Sequence, residues 1–417
     1  MENISYLDKK NVPEIYTPTT ETDVELNSAK LADLGAGEHL IGAFVGKSSG
    51  PTLIVIGGLH GNEPGGAIAL SNVSMLLGGM AEKLKGRVYF LRGNTRALSQ
   101  GVRFLDADLN RHWTPENLSN IGSEMLSVTS EGVELAELDR ILDSILITAM
   151  DEVFVLDLHS TSSDGRPFAT VGDTLRNREF AQKFPFWILL GIEEQLDGTM
   201  LEYLNNAGAV TLGFEGGQHI SAETVKNHEA ITWLALVNSG VLSETDLADQ
   251  GLYRGQLDAG RGGSSIVEVR LRKEISDGDE FEMNPGFNNF DPISKGQVLA
   301  KNKYGNILAG ESGLILMPLY QKLGDDGFFI GRVISPFWLW LSGILRRIGI
   351  QRLIHLVPGV RRDPDDTGKL IVNTNIARFF PLQVFHLLGF RRHRWVGNKL
   401  IVSRRRHDTS GPFKWKG

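Results

Sequence analysis

Four short apolar runs constrain the fold of this 417-residue chain most: Thr52–Ile56, Arg87–Leu91, Glu152–Leu158 and Ala209–Phe214. Thr52-Leu-Ile-Val-Ile56 and Val153-Phe-Val-Leu156 are continuous rather than alternating, the pattern of a strand covered on both faces. Between the runs, Ala67–Met80 is apolar and helix-compatible. Glu131–Met150 places apolar residues at 135, 138, 141, 142, 145 and 146 over acidic neighbours, an amphipathic helix. Strands alternating with helices predict an α/β layer architecture, with functional residues gathered at the strand ends. Beyond Leu252 the texture changes. Strand-like segments such as Ser265–Leu271 and Gly313–Met317 are separated by Asp-Gly and glycine-rich turns, which predicts a small β unit. The expected division is a lead-in at 1–50, an α/β unit at 51–245, a small β unit at 246–334 and a basic extension at 335–417.

Charge supports that last boundary. Residues 334–417 carry 16 Lys+Arg against 4 Asp+Glu, a balance of +12; with the whole chain at −7, the preceding residues hold −19. The overall negative charge argues against a nucleic-acid partner. Cysteine is absent, which excludes disulfides, Cys-ligated zinc, iron–sulfur clusters and cysteine nucleophiles. The first twenty residues contain no apolar stretch of the secretory type, and no run is long enough to span a membrane. A cytoplasmic location is expected, with peripheral contact to the inner face of the membrane as one placement of the basic extension.

The strongest local feature is Gly58-Leu-His60-Gly-Asn-Glu63-Pro64, directly after the first apolar run. A His and a Glu three apart at a strand-to-helix corner can converge on one cation. His159, just past Val153–Leu158, is the natural third ligand, with Asp157 placed to support it. Two imidazoles and one carboxylate form a catalytic zinc set that leaves a position for water. On its own the pair is equally an ordinary polar contact; placement of both pieces at ends of buried strands favours the metal reading. Arg103, with Asn110 and Arg111 downstream, offers a fork suited to a carboxylate, or else is a loop of solvated charges. Glu215, at a strand end between glycines, is either a proton carrier or a cap on backbone amides. Ser160-Thr-Ser-Ser163 lacks the strained nucleophile elbow and reads as loop.

Taken in order, His60-x-x-Glu63, Asp108-Leu-Asn110-Arg111, Asp157-Leu-His159-Ser-Thr and Phe214-Glu215-Gly-Gly resemble the succinylglutamate desuccinylase/aspartoacylase family of the zinc carboxypeptidase clan. The resemblance covers roughly residues 50–240. It implies a zinc-carboxypeptidase-like mixed sheet flanked by helices, and one Zn2+ per chain held by His60, Glu63 and His159. It further implies Glu215 as general base or acid and Arg103 as the group that polarises the scissile carbonyl. Asn110 and Arg111 would hold the substrate carboxylate. The implied activity is that of a zinc-dependent amidohydrolase, a deacylase of N-acyl amino acids or similar carboxylate-bearing amides. A metallocarboxypeptidase or amidase acting on short or cell-wall peptides is the alternative. Outside the enzymes stands a membrane- or partner-docked protein with a degenerate metal site. The aspartoacylase pattern carries a further arginine shortly before the catalytic glutamate, where this chain has Leu204-Asn-Asn-Ala-Gly208; a preference for N-acetylaspartate is therefore not expected. Tyr304 and Tyr320 are the two matches to a tyrosine the family draws from its C-terminal domain, and Arg166 and His219 are further polar residues near the motifs.

The extension has its own pattern. Treated as a helix, Pro336–Val357 places Phe337, Trp340, Leu341, Ile344 and Ile348 on one side and turns Arg346 and Arg347 away. Such a surface suits a membrane interface. Packing onto the acidic body, or onto a second copy in a homo-oligomer, is the other expectation.

Overall fold

The computed structural model describes residues 39–122, 128–163, 165–258, 265–276, 278–320, 326–364, 369–373, 382–396 and 399–411. Its strands in chain order begin with β1 (Leu40–Val45), β2 (Ser48–Gly57), β3 (Lys85–Arg92), β4 (Val153–Thr161), β5 (Phe168–Val171), β6 (Trp187–Leu190), β7 (Val210–Gln218) and β8 (Ile266–Glu274). The next are β9 (Glu282–Met283), β10 (Pro292–Ile293), β11 (Val298–Asn302), β12 (Gly305–Leu308), β13 (Gly313–Leu316) and β14 (Asp326–Val333). The last are β15 (Val360–Arg362), β16 (Lys369–Asn373), β17 (Arg392–Val396) and β18 (Lys399–Ser403).

An eleven-stranded sheet in the order β1-β3-β2-β4-β7-β5-β6-β8-β14-β13-β10 dominates the molecule. Its middle, β3-β2-β4-β7, is parallel. Successive residues of β2 serve opposite cores. Leu53 and Val55 pack with the helices Gly65–Gly78 and Ala222–Asn238, and Ile54 and Ile56 with the helices Ser130–Ile147 and Met200–Ala207. Burial on both faces is why these runs are continuously apolar. The mixed sheet flanked by helices is the architecture expected.

One end of the sheet adds a strand that local pattern did not announce, and the other takes in strands, β8 and β13, expected in a separate small β unit. Within the expected lead-in 1–50, β1 pairs antiparallel with β3; residues 1–38 lie outside the described residues. The strands of 246–334 divide between two sheets. β8 joins β6 in parallel, with β14, β13 and β10 beyond it, whereas β9, β11 and β12 form a small separate sheet.

The extension folds as well. Its helix runs from Pro336 to Arg347 and stops short of Val357, because Gly349 adopts the left-handed conformation (φ 81°). A four-stranded antiparallel sheet, β15-β16-β18-β17, comes after it, over a core that includes Val360, Val372, Phe385 and Val402. Arg346 and Arg347 behave oppositely. Arg347 is exposed beside Glu179, whereas Arg346 is 2% exposed and enters a buried ionic seam against the catalytic body. There it donates to Asp173 Oδ1 (2.8 Å) and, through Nε, to Asp408 Oδ2 (3.0 Å). Arg178 (2.8 Å) and Arg391 share Asp173, Arg391 also reaches Glu268 (2.6 Å), and Arg405 donates to Glu194 (3.0 Å). Among the described residues no helix is long and apolar enough to cross a membrane.

Candidate active site

The candidate groups stand at the carboxyl ends of β2, β4 and β7. Chain leaving β2 must turn sharply, and Gly58 does so at φ 77°. Gly61 then passes so close to the Ala97 backbone that a methyl group there would overlap it. This corner aims His60 and Glu63 back over the strand ends. His159 lies within β4, which continues to Thr161, so Ser160 and Thr161 are strand residues rather than loop. In the parallel register His159 is the partner of Glu215 on β7, and both side chains therefore leave the sheet on the same face.

His60, Glu63 and His159 offer ligand atoms that all lie within 4.8 Å of one another. The Nδ1 atoms of both rings face Glu63, at 3.0 Å from Oε1 for His60 and 3.2 Å from Oε2 for His159. The far nitrogens donate to carboxylates: His60 Nε2 to Asp108 Oδ1 (3.1 Å) and His159 Nε2 to Asp157 Oδ2 (2.7 Å). A carboxylate behind each imidazole is the usual support of a ligating histidine. The backbone N–H of Ser160 donates to Glu63 Oε2 (2.8 Å), holding that carboxylate in place. The donor set fits a divalent cation. A second His/Glu cluster, His39 with Glu134 and Glu137, already holds a cation of the chain's own, since Arg96 Nη1 lies 2.8 and 3.1 Å from the two carboxylates.

Electrostatics points the same way. Burial alone would raise the Glu63 carboxyl, but the charge of His60 and hydrogen bonds from both imidazoles outweigh it and hold it well below the ordinary range. Burial opposes a charged His159, yet Asp157 and Glu63 lift its pKa well above the usual value. Glu215 goes the other way: burial, with repulsion from Glu63 and Asp157, raises its pKa to about 8 against the pull of His159 and Arg103. Its Oε2 is buried with no hydrogen-bond partner among the described residues. Glu63, Asp108, Asp157 and Glu215 surround two imidazoles, with Arg103 at the rim of the cluster, its Nη1 3.7 Å from Glu63 Oε1 and its Nη2 3.1 Å from His60 Nε2.

Asp108 organises the second motif. It caps the short 3-10 helix Leu109–Arg111 through Asn110 N (2.9 Å), and Arg103 Nη2 donates to its Oδ2 (3.0 Å). Burial opposes the ionised Asp108, but His60, Arg103 and Arg111 hold its pKa far below the ordinary value. Asn110 Oδ1 accepts from Met200 N (3.0 Å), which leaves its amide NH2 as the donor facing the cavity. Glu131, which carried no sequence signal beyond its place on an amphipathic helix, fixes the loop between. It accepts from the N–H groups of Leu105 (2.7 Å), Asp106 (2.9 Å) and Ala107 (3.3 Å) and from Asn94 Nδ2 (3.0 Å).

All seven residues singled out from the sequence, His60, Glu63, Arg103, Asn110, Arg111, His159 and Glu215, line one cavity of about 380 Å3. His219 also lines it, with Nδ1 2.8 Å from Ser160 Oγ. Arg166, Tyr304 and Tyr320 are not among its lining residues; the Tyr320 hydroxyl bonds instead to Phe287 and Asn284. One wall was not foreseen. Ile192, Leu196, Met317, Leu319 and Phe329 make it apolar, and Thr170 and Glu193 add polar groups. Only spatial proximity, created by β8 and β14 docking beyond β6, could have found it.

Residues 49–232 match the model of the succinylglutamate desuccinylase/aspartoacylase catalytic domain. Over 261 residues the chain is 26% identical to an N-acyl-aromatic-L-amino acid amidohydrolase (carboxylate-forming) of Xenopus laevis, spanning 58% of this chain and 81% of that protein. It is 29% identical over 126 residues to the succinylglutamate desuccinylase of Pseudomonas fluorescens (strain SBW25), 30% of this chain and 36% of the other. Among solved structures, a succinylglutamate desuccinylase/aspartoacylase from Rhodobacter sphaeroides matches with a TM-score of 0.54 at 19% identity, over 71% of this chain and 88% of that one. At that identity the likeness shows a shared fold.

Proposed function

We propose, from the match of residues 49–232 to the succinylglutamate desuccinylase/aspartoacylase catalytic domain, that this chain is a zinc-dependent deacylase hydrolysing the amide of an N-acyl amino acid. The observation that carries the reading is the pairing of His159 with Glu215 across β4 and β7, with Glu63 set against both imidazoles. His60, Glu63 and His159 would hold the ion. When bound, zinc supplies Lewis acidity and lowers the pKa of water toward about 7. Glu215, whose Oε2 is buried and unpartnered among the described residues, takes a proton from the attacking water and delivers it to the amide nitrogen as the C–N bond breaks. The products are a carboxylate and an amine. Arg103 donates to the acyl oxygen as negative charge develops there; loss of one such donor costs about 10²–10³ in rate. Arg111 and the Asn110 amide hold the substrate carboxylate, and Asp108 sets the distance between them and Arg103.

The cavity wall speaks to the side chain of the substrate. Asn205, in the stretch where an aspartoacylase would offer an arginine, is 1% exposed and donates to Ala209 O (2.9 Å). No cation comes from there, whereas Ile192, Leu196, Met317, Leu319 and Phe329 present an apolar surface. An N-acyl amino acid with an apolar or aromatic side chain fits better than a dicarboxylate. The frog relatives, named for N-acyl-aromatic amino acids, support that reading.

Metal analysis of the purified protein, with hydrolysis of N-acetylphenylalanine, N-acetylaspartate, N-succinylglutamate and a dipeptide, tests it. One zinc per chain and preference for the aromatic substrate are expected, with Glu215→Gln lowering the rate by roughly 10²–10⁴-fold. Absence of zinc, or undiminished hydrolysis by that variant, overturns the mechanism. Preference for the dipeptide moves the chain to the peptidase class.

A further inference from the structure

The helix Pro336–Arg347 faces the protein with the side that carries Leu339, Ser342, Gly343 and Arg346. Ser342, Gly343 and Arg346 are its buried residues; Ser342 Oγ donates to Leu387 O (2.6 Å), and Arg346 is clamped by Asp173 and Asp408. These bonds fix the roll of the helix and turn its apolar stripe outward. Phe337 (56% exposed), Trp338 (52%), Trp340 (60%) and Ile348 (66%) stand there, continued by Leu353 (55%) and Leu356 (70%) on the following turns. The aromatic rings touch one another, with centroids 5.3 Å apart for Phe337–Trp338 and 6.0 Å for Phe337–Trp340, so these three form one continuous patch. An exposed, contiguous apolar patch held open by buried ion pairs marks a surface that something else covers.

Its rim is basic. Arg347 at the end of the helix, Arg352 on the turns that follow, and Arg361 and Arg362 on β15 are all exposed. Arg362 Nη2 donates to Arg352 O (2.9 Å), which sets its guanidinium beside the backbone just before Leu353. Buried arginines in the same segment meet the acidic body from the other side and Arg347 pairs with Glu179 at the surface, so Arg352, Arg361 and Arg362 are the outward arginines left for a partner. A second copy docking by a two-fold axis would bring this basic rim against itself. An anionic lipid surface takes both features at once: tryptophans settle at the headgroup boundary and arginines face acidic headgroups.

We infer that this face docks the protein peripherally on an anionic lipid bilayer, with Phe337, Trp338 and Trp340 as its inserted residues. The test is co-sedimentation of the full chain with phosphatidylcholine vesicles, with and without phosphatidylserine. The wild type partitions onto the phosphatidylserine vesicles, its tryptophan emission shifts to the blue, and added salt releases it. Combined Phe337→Ser, Trp338→Ser and Trp340→Ser lowers partitioning at least about tenfold. These side chains are more than half exposed, so an unchanged melting temperature and unchanged hydrolysis accompany the loss. Arg361→Glu with Arg362→Glu reduces binding by about fivefold per charge removed. Failure of the wild type to bind, or equal binding by the triple variant, overturns the inference. So does a dimer in sedimentation velocity that the triple variant abolishes while vesicles bind neither protein, an outcome that gives the face to a second copy.

Discussion

Asp173→Asn is the most searching perturbation of the seam that joins the extension to the catalytic body. The carboxylate is 1% exposed and serves three arginines: Arg178 (2.8 Å), Arg346 (2.8 Å) and Arg391. The substitution keeps the shape and removes the charge. Arg346 retains Asp408 and Arg391 retains Glu268, but Arg178 keeps only a long bond to Ser342 Oγ (3.3 Å). Breaking a buried ion pair from one side costs about 3–5 kcal/mol, and three guanidinium groups sharing one carboxylate put this case near the upper end. At about 2–4 °C per kcal/mol for a domain of this size, the melting temperature falls by roughly 10–20 °C. Arg347→Ala is the control. Its pair with Glu179 is more than half exposed on both sides, and such pairs contribute about 0.5 kcal/mol or less. Differential scanning fluorimetry and limited proteolysis around residue 335 read both variants. The reasoning fails if Asp173→Asn melts within about 2 °C of wild type, or if both variants lose the same amount. Acid gives a second reading. Burial opposes the ionised Asp173, but the three arginines hold its pKa well below the ordinary value. Its stabilisation is therefore complete above about pH 4 and is lost as pH falls through the folded value, so the two melting curves converge toward acid.

Three further outcomes are expected. Burial lowers the pKa of His39, but Glu137, Glu134 and the Arg92 carbonyl outweigh it and raise the balance. Its contribution is full below about pH 6.5 and is lost as pH rises through the folded value, and His39→Gln flattens that alkaline decline in melting temperature. Asp157→Asn, behind His159, weakens zinc binding by about 10–100-fold in chelator competition; unchanged affinity would place the ion elsewhere. Glu131→Gln loosens the loop between Arg103 and Asn110, each hydrogen bond to a charged group contributing about 1.5–3 kcal/mol. A drop in kcat/KM of at least about tenfold with unchanged metal content is expected, and an equal loss of metal would contradict the role given to that loop.

The parts of the site that sequence could locate are those set by short-range rules. A buried strand announces itself by continuous apolar residues, and the residues just past its end must lie at the sheet's edge; that logic placed His60, Glu63, His159 and Glu215 together. Arg103, Asn110 and Arg111 needed the resemblance as well, since a loop of charges has no period. The rest depended on distant pairing. β5 and β6 are four residues each, too short to stand out, and the helix Ala222–Asn238 is buried on nearly every side and shows no apolar stripe. In the extension, the side of the helix carrying Arg346 was correctly set opposite Phe337 and Trp340. Which side faces the body was decided by Asp173 and Asp408, acids far away in the chain. Helical periodicity reports that two faces differ and is silent on which of them turns inward.

The apolar wall comes from Met317, Leu319 and Phe329, on or beside β13 and β14, several strands away from the β4–β7 pair that carries His159 and Glu215. On the proposed mechanism, bond breaking and substrate choice would thus be anchored in different parts of one sheet. Substitutions on the wall leave the register of β4 with β7 untouched, so selectivity is free to drift while the chemistry is conserved. A directed-evolution library confined to 317, 319 and 329 would start from an intact hydrolytic engine at every member, and a family built this way can diversify its diet faster than its mechanism.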